Sequence, residues 1–322
     1  MDGVECTAIM YHYVRNMHET EFPAIKGLLL EKFRGQLGYV ERHFKVISLA
    51  EYGDCLRGNS KAPEKSCLLT FDDGVKDHYL NVFPELEKRG FAAGFFPMTQ
   101  PLEEGIVPVV QKTHFLLAKL GAKDFAEEFN RSLKERFPDL VEEFFVDDGE
   151  KRQAKHRWDD ALTSNLKYNI ATMPLGPKVE LLNAIFPRHF GNEKEFCGQL
   201  YMNWEEMREM EEAGMEFGGH THSHPTLASL DKEGQEKEII ESTGILRKGL
   251  RGKIRCFSYP YGSFNQDTIE ILQGDGYEMA LTTDVGVNKG IAIDPFKIKR
   301  FDTNDIPFSG NAQVAERGAD GK

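Results

Sequence analysis

Two adjacent carboxylates are the first residues in this sequence whose types and spacing could do chemistry. Asp72 and Asp73 end the apolar run Cys67–Phe71 and are followed by Gly74. Successive strand residues point to opposite faces, but a chain that turns at a glycine can direct one carboxylate to a metal and leave the other as a base. A lone Asp-Asp-Gly is also typical of an Asx turn or a helix cap, so the motif needs support from elsewhere in the chain.

Three histidines form the second motif. His220, His222 and His224 alternate along the chain directly after Gly218 and Gly219. In a turn of helix, His220 and His224 would share a face and His222 would point away. Two imidazoles and one carboxylate from another strand end would leave an open position, which is typical of a catalytic metal site. We therefore interpret His220 and His224 as metal ligands and His222 as a structural residue.

A third motif is the sequence Ser258-Tyr259-Pro260-Tyr261-Gly262, which follows another apolar run. A Pro-Gly turn of this kind can present backbone N–H groups and aromatic walls to a ligand, but a plain loop has the same composition. All three motifs therefore stand where an apolar run ends and a turn begins.

Short apolar runs rich in β-formers alternate with amphipathic stretches on both sides of the chain's middle. Within Leu28–His43, for example, Leu30, Phe33, Leu37 and Val40 recur at helical spacing. This alternation predicts an α/β fold with a parallel sheet. About seven strands fit a closed or nearly closed barrel better than an open sheet. Parallel strands end at one face, so the three motifs would meet there.

The middle of the chain, 102–199, has no strand signals and is rich in helix formers. Among the forty residues 121–160, 12 are acidic and 8 are basic. We predict a large helical insertion, either a lid or rim of the site or a solvated decoration, between barrel segments 1–101 and 200–308. The last residues, 309–322, are small, polar and patternless, which predicts a disordered tail.

Composition excludes several classes of protein. The chain carries 40 basic and 52 acidic residues, a net charge of −12, so we expect no nucleic-acid binding and no attachment to anionic membranes. No apolar run approaches the roughly 18 residues needed to cross a bilayer, so we expect no membrane insertion. The start of the chain lacks the features of a signal peptide. Five scattered cysteines without a C-x-x-C pair favour a reducing compartment, and we predict a cytoplasmic protein.

In this order, the three motifs resemble those of polysaccharide deacetylases with a NodB-homology domain, the carbohydrate esterase family 4 type. The resemblance covers roughly residues 4–101 and 200–306. It implies a deformed (β/α) barrel that removes acetyl groups from N-acetylated sugars with one divalent metal. Zinc suits an Asp-His-His site, and cobalt, nickel or manganese could replace it.

The resemblance also assigns roles to individual residues. It implies that Asp73, His220 and His224 bind the metal and that Asp72 is the general base. It further implies that the backbone N–H of Tyr261 donates to the oxyanion of the tetrahedral intermediate.

Two departures from the family pattern concern the base and the acid. Ser258 stands where the third motif usually has an arginine that orients the base, and the late Leu-x-His motif that supplies the acid is absent. The segment Met10–Val14 resembles the branch of poly-N-acetylglucosamine deacetylases, whose acid histidine comes from this N-terminal strand. His12 is therefore our candidate acid. Arg300 could replace the missing arginine, or it is a surface charge.

We expect a metal-dependent hydrolase that removes an N-acetyl or other acyl group from an amino sugar or polysaccharide precursor. Two alternatives remain open. The same fold and metal could act on a non-sugar C–N bond, such as a cyclic amide or a formamide. The chain could also be a non-catalytic carbohydrate-binding relative, although a pure binder has no need of a base such as Asp72 beside a metal.

Overall fold

The computed structural model describes residues 4–17, 19–151, 159–290 and 293–309. These residues form two compact units. The barrel unit comprises the described residues of 1–16, 27–99 and 202–322, and the helical unit comprises those of 17–26 and 100–201. The second stretch of the helical unit lies close to the boundaries at 102 and 199 that the sequence indicates. Most of the predicted disordered tail, from 310 onward, lies outside the described residues.

Every strand in the described ranges belongs to the barrel unit. The strands are β1 (Val4–Tyr11), β2 (Val14–Arg15), β3 (Leu28–Leu29), β4 (Lys45–Val46), β5 (Ser66–Asp73), β6 (Gly94–Pro97), β7 (Glu216–Phe217), β8 (Cys256–Ser258), β9 (Met279–Leu281), β10 (Asn288–Gly290) and β11 (Phe301–Asp302).

Helices follow most of the barrel strands and also make up the helical unit. The α-helices are α1 (Leu30–His43), α2 (Leu49–Leu56), α3 (Phe83–Glu87), α4 (Gln100–Glu104), α5 (Val109–Arg136), α6 (Val141–Phe144), α7 (Ala161–Thr172), α8 (Leu175–Phe190), α9 (Glu193–Leu200), α10 (Trp204–Glu212), α11 (Lys232–Gly249) and α12 (Gln266–Gly274). One turn of π-helix, His78–Val82, leads into α3. Helices α4 to α9 belong to the helical unit.

The parallel strands of the barrel unit close into a ring. β5 pairs with β1 on one side and with β6 on the other, and β6 pairs with β7. Gly219, just after β7, bridges Phe257 of β8, and Leu281 of β9 bridges Ile298. β8 pairs with β9, and β11 returns to β1. Within the described chain, the ring thus contains seven parallel strands, β1, β5 to β9 and β11, and β4 adds a further short parallel pairing to β5. This ring confirms the predicted deformed barrel.

Two glycines at the end of β7 allow the close approach to β8. A Cβ on Gly218 would lie 2.3 Å from the carbonyl oxygen of Cys256 and 2.4 Å from the ring of Phe96. A Cβ on Gly219 would lie 2.2 Å from the hydroxyl oxygen of Tyr277. Because neither position has room for a side chain, the Gly-Gly pair holds the histidine motif directly against the barrel wall.

Local sequence explains how the barrel helices begin and what they bury. Helix α2 starts at a capping box, in which the Ser48 hydroxyl accepts the Glu51 N–H and the Glu51 carboxylate accepts the Ser48 N–H. Helix α1 buries Phe33, Leu37 and Val40, three of the residues whose spacing predicts its apolar face. These helices therefore follow from nearest-neighbour patterns along the chain.

Residues 17–26, which the sequence analysis assigns to the first barrel segment, group with the helical unit instead. The ring of Phe22 packs edge-on against Phe115 with 5.2 Å between centroids. The Lys26 ammonium pairs with the carboxylate of Asp159. The segment therefore finds both its apolar and its charged partners far along the chain, where local patterns give no signal.

The helical unit is a bundle with an aromatic core, and the prediction of a role as lid or rim stays a prediction. Helix α5 is interrupted at Gly121, whose φ of 76° lies in the left-handed region. Five phenylalanine rings pack with centroid separations of 4.4 to 6.3 Å: Phe22, Phe115, Phe186, Phe190 and Phe196. None of the described helices in either unit is both long and apolar enough to cross a membrane.

Candidate metal centre and active site

The barrel brings one carboxylate and two imidazoles together in a buried cluster. Asp73 ends β5, and His220 and His224 follow β7. One ligand atom from each residue lies within 4.8 Å of the others. The Nε2 atoms of His220 and His224 lie 3.4 and 3.6 Å from Oδ1 of Asp73. All three residues are buried, so the cluster is shielded from bulk solvent.

The chain is already turning at the second carboxylate of the Asp-Asp pair. Asp73 has φ of 78° and Gly74 has φ of 70°, both in the left-handed region. Asp72 still continues the strand conformation of β5, opposite Phe96 of β6. Asp73 therefore joins the two histidines, and Asp72 has different partners. A chain that turns at this point can direct two adjacent carboxylates to different partners.

The histidine motif is a loop, so the helical turn considered for it in the sequence analysis is wrong. Thr221 and His224 both have positive φ, 64° and 62°, and the Thr221 hydroxyl accepts the His224 N–H at 3.0 Å. Such backbone conformations cost on the order of 1–3 kcal/mol each in non-glycine residues. The loop thus brings both imidazoles to Asp73 with a strained backbone. A helix would bring them together through i, i+4 spacing instead.

The third histidine of the motif has a structural partner. The Nδ1 atom of His222 lies 2.9 Å from the hydroxyl of Thr99, just beyond β6. His222 stays outside the Asp73 cluster. This position matches its interpretation as a structural residue.

The buried nitrogens fit a divalent metal. Nδ1 of His220 lies 2.7 Å from the carbonyl oxygen of Ser258, which fixes the proton on Nδ1 and leaves the lone pair on Nε2. That Nε2 atom is buried and makes no hydrogen bond. Burial lowers the pKa of His224 to about 3, so this imidazole is neutral near pH 7. Two imidazoles and one carboxylate are a donor set that suits zinc and the neighbouring divalent metals.

Arg300 holds Asp72 in a bidentate ion pair in the barrel interior. Its two terminal nitrogens lie 2.9 Å from Oδ1 and 2.8 Å from Oδ2 of Asp72. Ser258 donates to the same Oδ2 at 3.1 Å and accepts from Arg300 at 3.0 Å. Arg300 is 1% exposed and precedes β11, so the structure contradicts the alternative of a surface charge.

The guanidinium of Arg300 has two further acceptors, one backbone carbonyl and one side-chain hydroxyl. The Nε atom of Arg300 donates to the carbonyl oxygen of Thr282, and one terminal nitrogen lies 3.3 Å from the hydroxyl of Thr70. Sequence reasoning missed both threonines, because a threonine near a strand end is common and carries no motif. Four groups thus fix the plane of the guanidinium and, through it, the carboxylate of Asp72.

The two carboxylates are kept ionised by their neighbours. Burial raises the pKa of Asp72, but Arg300 and His220 outweigh burial and hold that pKa below the ordinary value of 3.8. Burial likewise raises the pKa of Asp73, and His220, His12 and His224 together hold it far below its usual range. Both groups therefore carry negative charge at neutral pH.

His12 lies at the same end of the barrel, just after β1. Its side chain is half-buried, and its charge lowers the pKa of Asp72 and of Asp73. Behind it, Nε2 of His78 lies 3.0 Å from the backbone carbonyl oxygen of His12. Burial lowers the pKa of His78 to about 4, so this histidine is neutral and donates an N–H to that carbonyl. Sequence reasoning missed His78, which no local pattern distinguishes from a core residue.

Tyr261 lies beside the cluster on the third motif. Its ring packs edge-on against His224 with 4.6 Å between centroids, and 39% of its surface is exposed. The turn Pro260–Gly262 has positive φ at Tyr261 and at Gly262. A Cβ on Gly262 would lie 2.2 Å from the hydroxyl of Thr283, so only glycine fits there. The barrel therefore brings all three motifs to one end, as the order of strands predicts.

Comparison with known proteins gives an independent view of the fold. The family model described as "Polysaccharide deacetylase" matches residues 187–280. The poly-beta-1,6-N-acetyl-D-glucosamine N-deacetylase of Escherichia coli (strain K12) is 23% identical over 293 residues, which are 89% of this chain and 35% of that protein. The chain spans about a third of the length of the curated relatives it matches.

Solved structures with the same fold cover nearly the whole chain. One is the Streptococcus pyogenes deacetylase PplD in complex with acetate, with a TM-score of 0.57, 18% identity and coverage of 93% of this chain and 92% of that one. Another is IcaB from Ammonifex degensii, with a TM-score of 0.57, 19% identity and coverage of 93% and 91%. These findings confirm the resemblance to polysaccharide deacetylases with a NodB-homology domain, with a poly-N-acetylglucosamine deacetylase among the relatives.

Proposed function

We propose that the protein is a metal-dependent deacetylase that hydrolyses the N-acetyl group of an amino sugar in a polysaccharide or its precursor. The observation that carries the proposal is a pair of neighbouring carboxylates with separate partners. Asp73 belongs to a cluster with His220 and His224, and Asp72 is held by Arg300. Amide hydrolysis needs both a site for a Lewis acid and a base beside it, and this arrangement supports both.

Asp73, His220 and His224 would hold one divalent metal, and zinc suits this donor set. When bound, such a metal polarises the amide carbonyl and makes water a stronger acid. Asp72 accepts the proton of the attacking water. Arg300 keeps that carboxylate ionised and oriented. The base therefore starts each cycle in the state it needs.

His12 and Tyr261 complete the reaction. His12 donates a proton to the leaving amine nitrogen, which otherwise is a poor leaving group. The backbone N–H of Tyr261 donates to the oxyanion as negative charge develops on the carbonyl oxygen. Tyr261 packs against the ligand His224, which supports its position next to the reacting carbonyl.

The experiment that tests the function joins metal content to acetate release. Purified protein is expected to contain about one zinc, or another divalent metal, per chain, and to release acetate from β-1,6-linked N-acetylglucosamine oligomers. His220→Ala and His224→Ala are each expected to lose metal and acetate release together. Nucleotide-linked N-acetyl sugars are assayed in parallel, because the substrate could be a precursor.

Each other outcome excludes a part of the proposal. Metal without acetate release from any sugar would favour the alternative of a non-sugar C–N bond. Metal and sugar binding without turnover of any amide would favour a non-catalytic carbohydrate-binding relative. Absence of metal after reloading with zinc would contradict the proposed metal-dependent activity.

The cytoplasmic location stays a prediction, which fractionation of cells would test.

Replacing the candidate acid is expected to slow the reaction without removing metal. His12→Gln keeps a polar side chain of similar size but cannot act as the acid, and a positioned acid contributes typically about 10²–10⁴-fold to the rate. We expect kcat to fall within that range and the metal content to stay unchanged. A substrate with a better leaving amine should recover part of the loss. An unchanged kcat would assign the acid to another group.

A further inference from the structure

We propose that Glu238 is a positioning residue that sets the metal affinity of the site by holding the loop on which both histidine ligands lie. Glu238 belongs to α11, fourteen residues after His224, and lies outside the cluster of ligand atoms. The inference rests on the proposed metal site, because it concerns the two histidines that would bind there.

Glu238 makes three hydrogen bonds to one short segment of the ligand loop. Its Oε2 atom accepts the backbone N–H of His222 at 3.0 Å and that of Ser223 at 2.8 Å. Its Oε1 atom accepts the Ser223 hydroxyl at 2.6 Å. Two successive backbone N–H groups form a small anion-binding concavity, and the carboxylate of Glu238 fills it. The bonds are charge-assisted, and such hydrogen bonds are roughly twice as strong as neutral ones.

The segment that Glu238 holds lies between two strained residues. Thr221 precedes it and His224 follows it, and both have positive φ. Non-glycine residues keep such a conformation only where the surroundings impose it. The loop has a second partner in Thr99, whose hydroxyl lies 2.9 Å from Nδ1 of His222. The loop is therefore held by two residues, by Glu238 through its backbone N–H groups and the Ser223 hydroxyl and by Thr99 through the His222 side chain.

This strain bears directly on the ligands. His220 is fixed by its own bond to the carbonyl of Ser258 and by the bridge of Gly219 to β8. His224 lacks such an anchor: its Nδ1 atom is buried without a hydrogen bond, and its backbone N–H bonds to Thr221 within the loop. The position of His224 thus depends on the conformation of the loop. Loss of Glu238 frees the loop to relax and moves His224 away from Asp73.

The test measures binding of zinc alone to the full chain, without any substrate. The metal-free protein is titrated with zinc against a chromophoric chelator. Residues that support metal ligands from outside the coordination sphere typically contribute about 10–100-fold to affinity. We expect the Kd of Glu238→Ala for zinc to rise by that factor. Glu241→Ala removes the same charge from an exposed position on the same helix and is expected to leave the Kd within about twofold.

Two further measurements separate positioning from general stability. The absorption spectrum of bound cobalt is expected to change in Glu238→Ala and not in Glu241→Ala, because it reports the geometry of the ligands. Saturating zinc is expected to return much of the acetate release to Glu238→Ala. If Glu238→Ala does not fold, Ser223→Ala removes one of the three bonds and is expected to raise the Kd by about threefold to tenfold.

The outcomes distinguish this inference from the function on which it rests. A wild-type chain that binds no zinc would contradict the proposed function. A wild-type chain that binds zinc, with equal Kd values and equal cobalt spectra in Glu238→Ala, would overturn the role of Glu238 alone. Equal losses of affinity in Glu238→Ala and Glu241→Ala would overturn it as well, because only the total charge would then matter.

Discussion

Asp72→Asn is expected to keep the metal and to lose turnover. The substitution preserves size and leaves Asp73, His220 and His224 unchanged. An amide cannot accept the proton of the attacking water, and a positioned base contributes typically about 10²–10⁴-fold to the rate. We therefore expect kcat for acetate release to fall within that range, while elemental analysis still finds about one metal per chain.

The control for this prediction is Ser258→Ala, which changes the surroundings of the same carboxylate. The Ser258 hydroxyl donates to Asp72 and accepts from Arg300. Its loss leaves the base and the guanidinium in place and is worth one hydrogen bond, so we expect a decrease in kcat of only about threefold to tenfold. If Asp72→Asn kept its activity within the range of Ser258→Ala, the base would be a different group.

Arg300→Met is expected to be the most destabilising of these substitutions. The guanidinium and the carboxylate of Asp72 are both buried, and the pair is bidentate at 2.9 and 2.8 Å. Removal of one partner of such a pair leaves an uncompensated buried charge, which costs about 3–5 kcal/mol. We expect a decrease of that size in the free energy of unfolding by urea, together with loss of activity. Arg300→Lys should restore little, because an ammonium cannot make the bidentate pair.

A double-mutant cycle separates the pair from the other contacts of Arg300. In Arg300→Met with Asp72→Asn, neither charge remains, so the double variant should be less destabilised than the sum of the two single variants. The difference should be largest above about pH 4. The pKa of Asp72 lies below its ordinary value of 3.8, so the pair stabilises the fold fully above that pH, and this stabilisation is lost as the pH falls further. Strict additivity at neutral pH would show that the two groups do not interact.

The arginine partner of Asp72 comes from a different part of the chain than in the deacetylases that this chain resembles. Ser258 stands where the motif usually has the arginine, and Arg300 lies 42 residues further along the chain. In the folded barrel both residues contact Asp72. They can do so because β8 and the segment that follows Ile298 belong to the same ring of strands as β5. Sequence reasoning could name Arg300 as a replacement, but only strand register decided between a buried partner of Asp72 and a surface charge.

The histidine loop illustrates the opposite case. Helical i, i+4 spacing singled out His220 and His224, and the structure does bring this pair to Asp73, but in a loop and not in a helix. Their role as metal ligands stays a prediction. The loop brings the two rings together with positive φ at Thr221 and His224. Glu238 and Thr99 hold it there from elements that no motif connects to it. Backbone strain of this kind is stable only in a finished fold, so it leaves no periodic signal in the sequence.

The sequence by itself determined the class of fold, the end of the barrel where the site lies and the residue types that could bind a metal. These features depend on local patterns: apolar runs that become strands, and polar motifs where those runs end. Tertiary structure alone decided that Arg300 is buried against Asp72, that residues 17–26 join the helical unit, and that the ring closes through single bridges at Gly219 and Leu281. The physical reason is distance along the chain. A contact between residues far apart depends on the register and packing of every element between them.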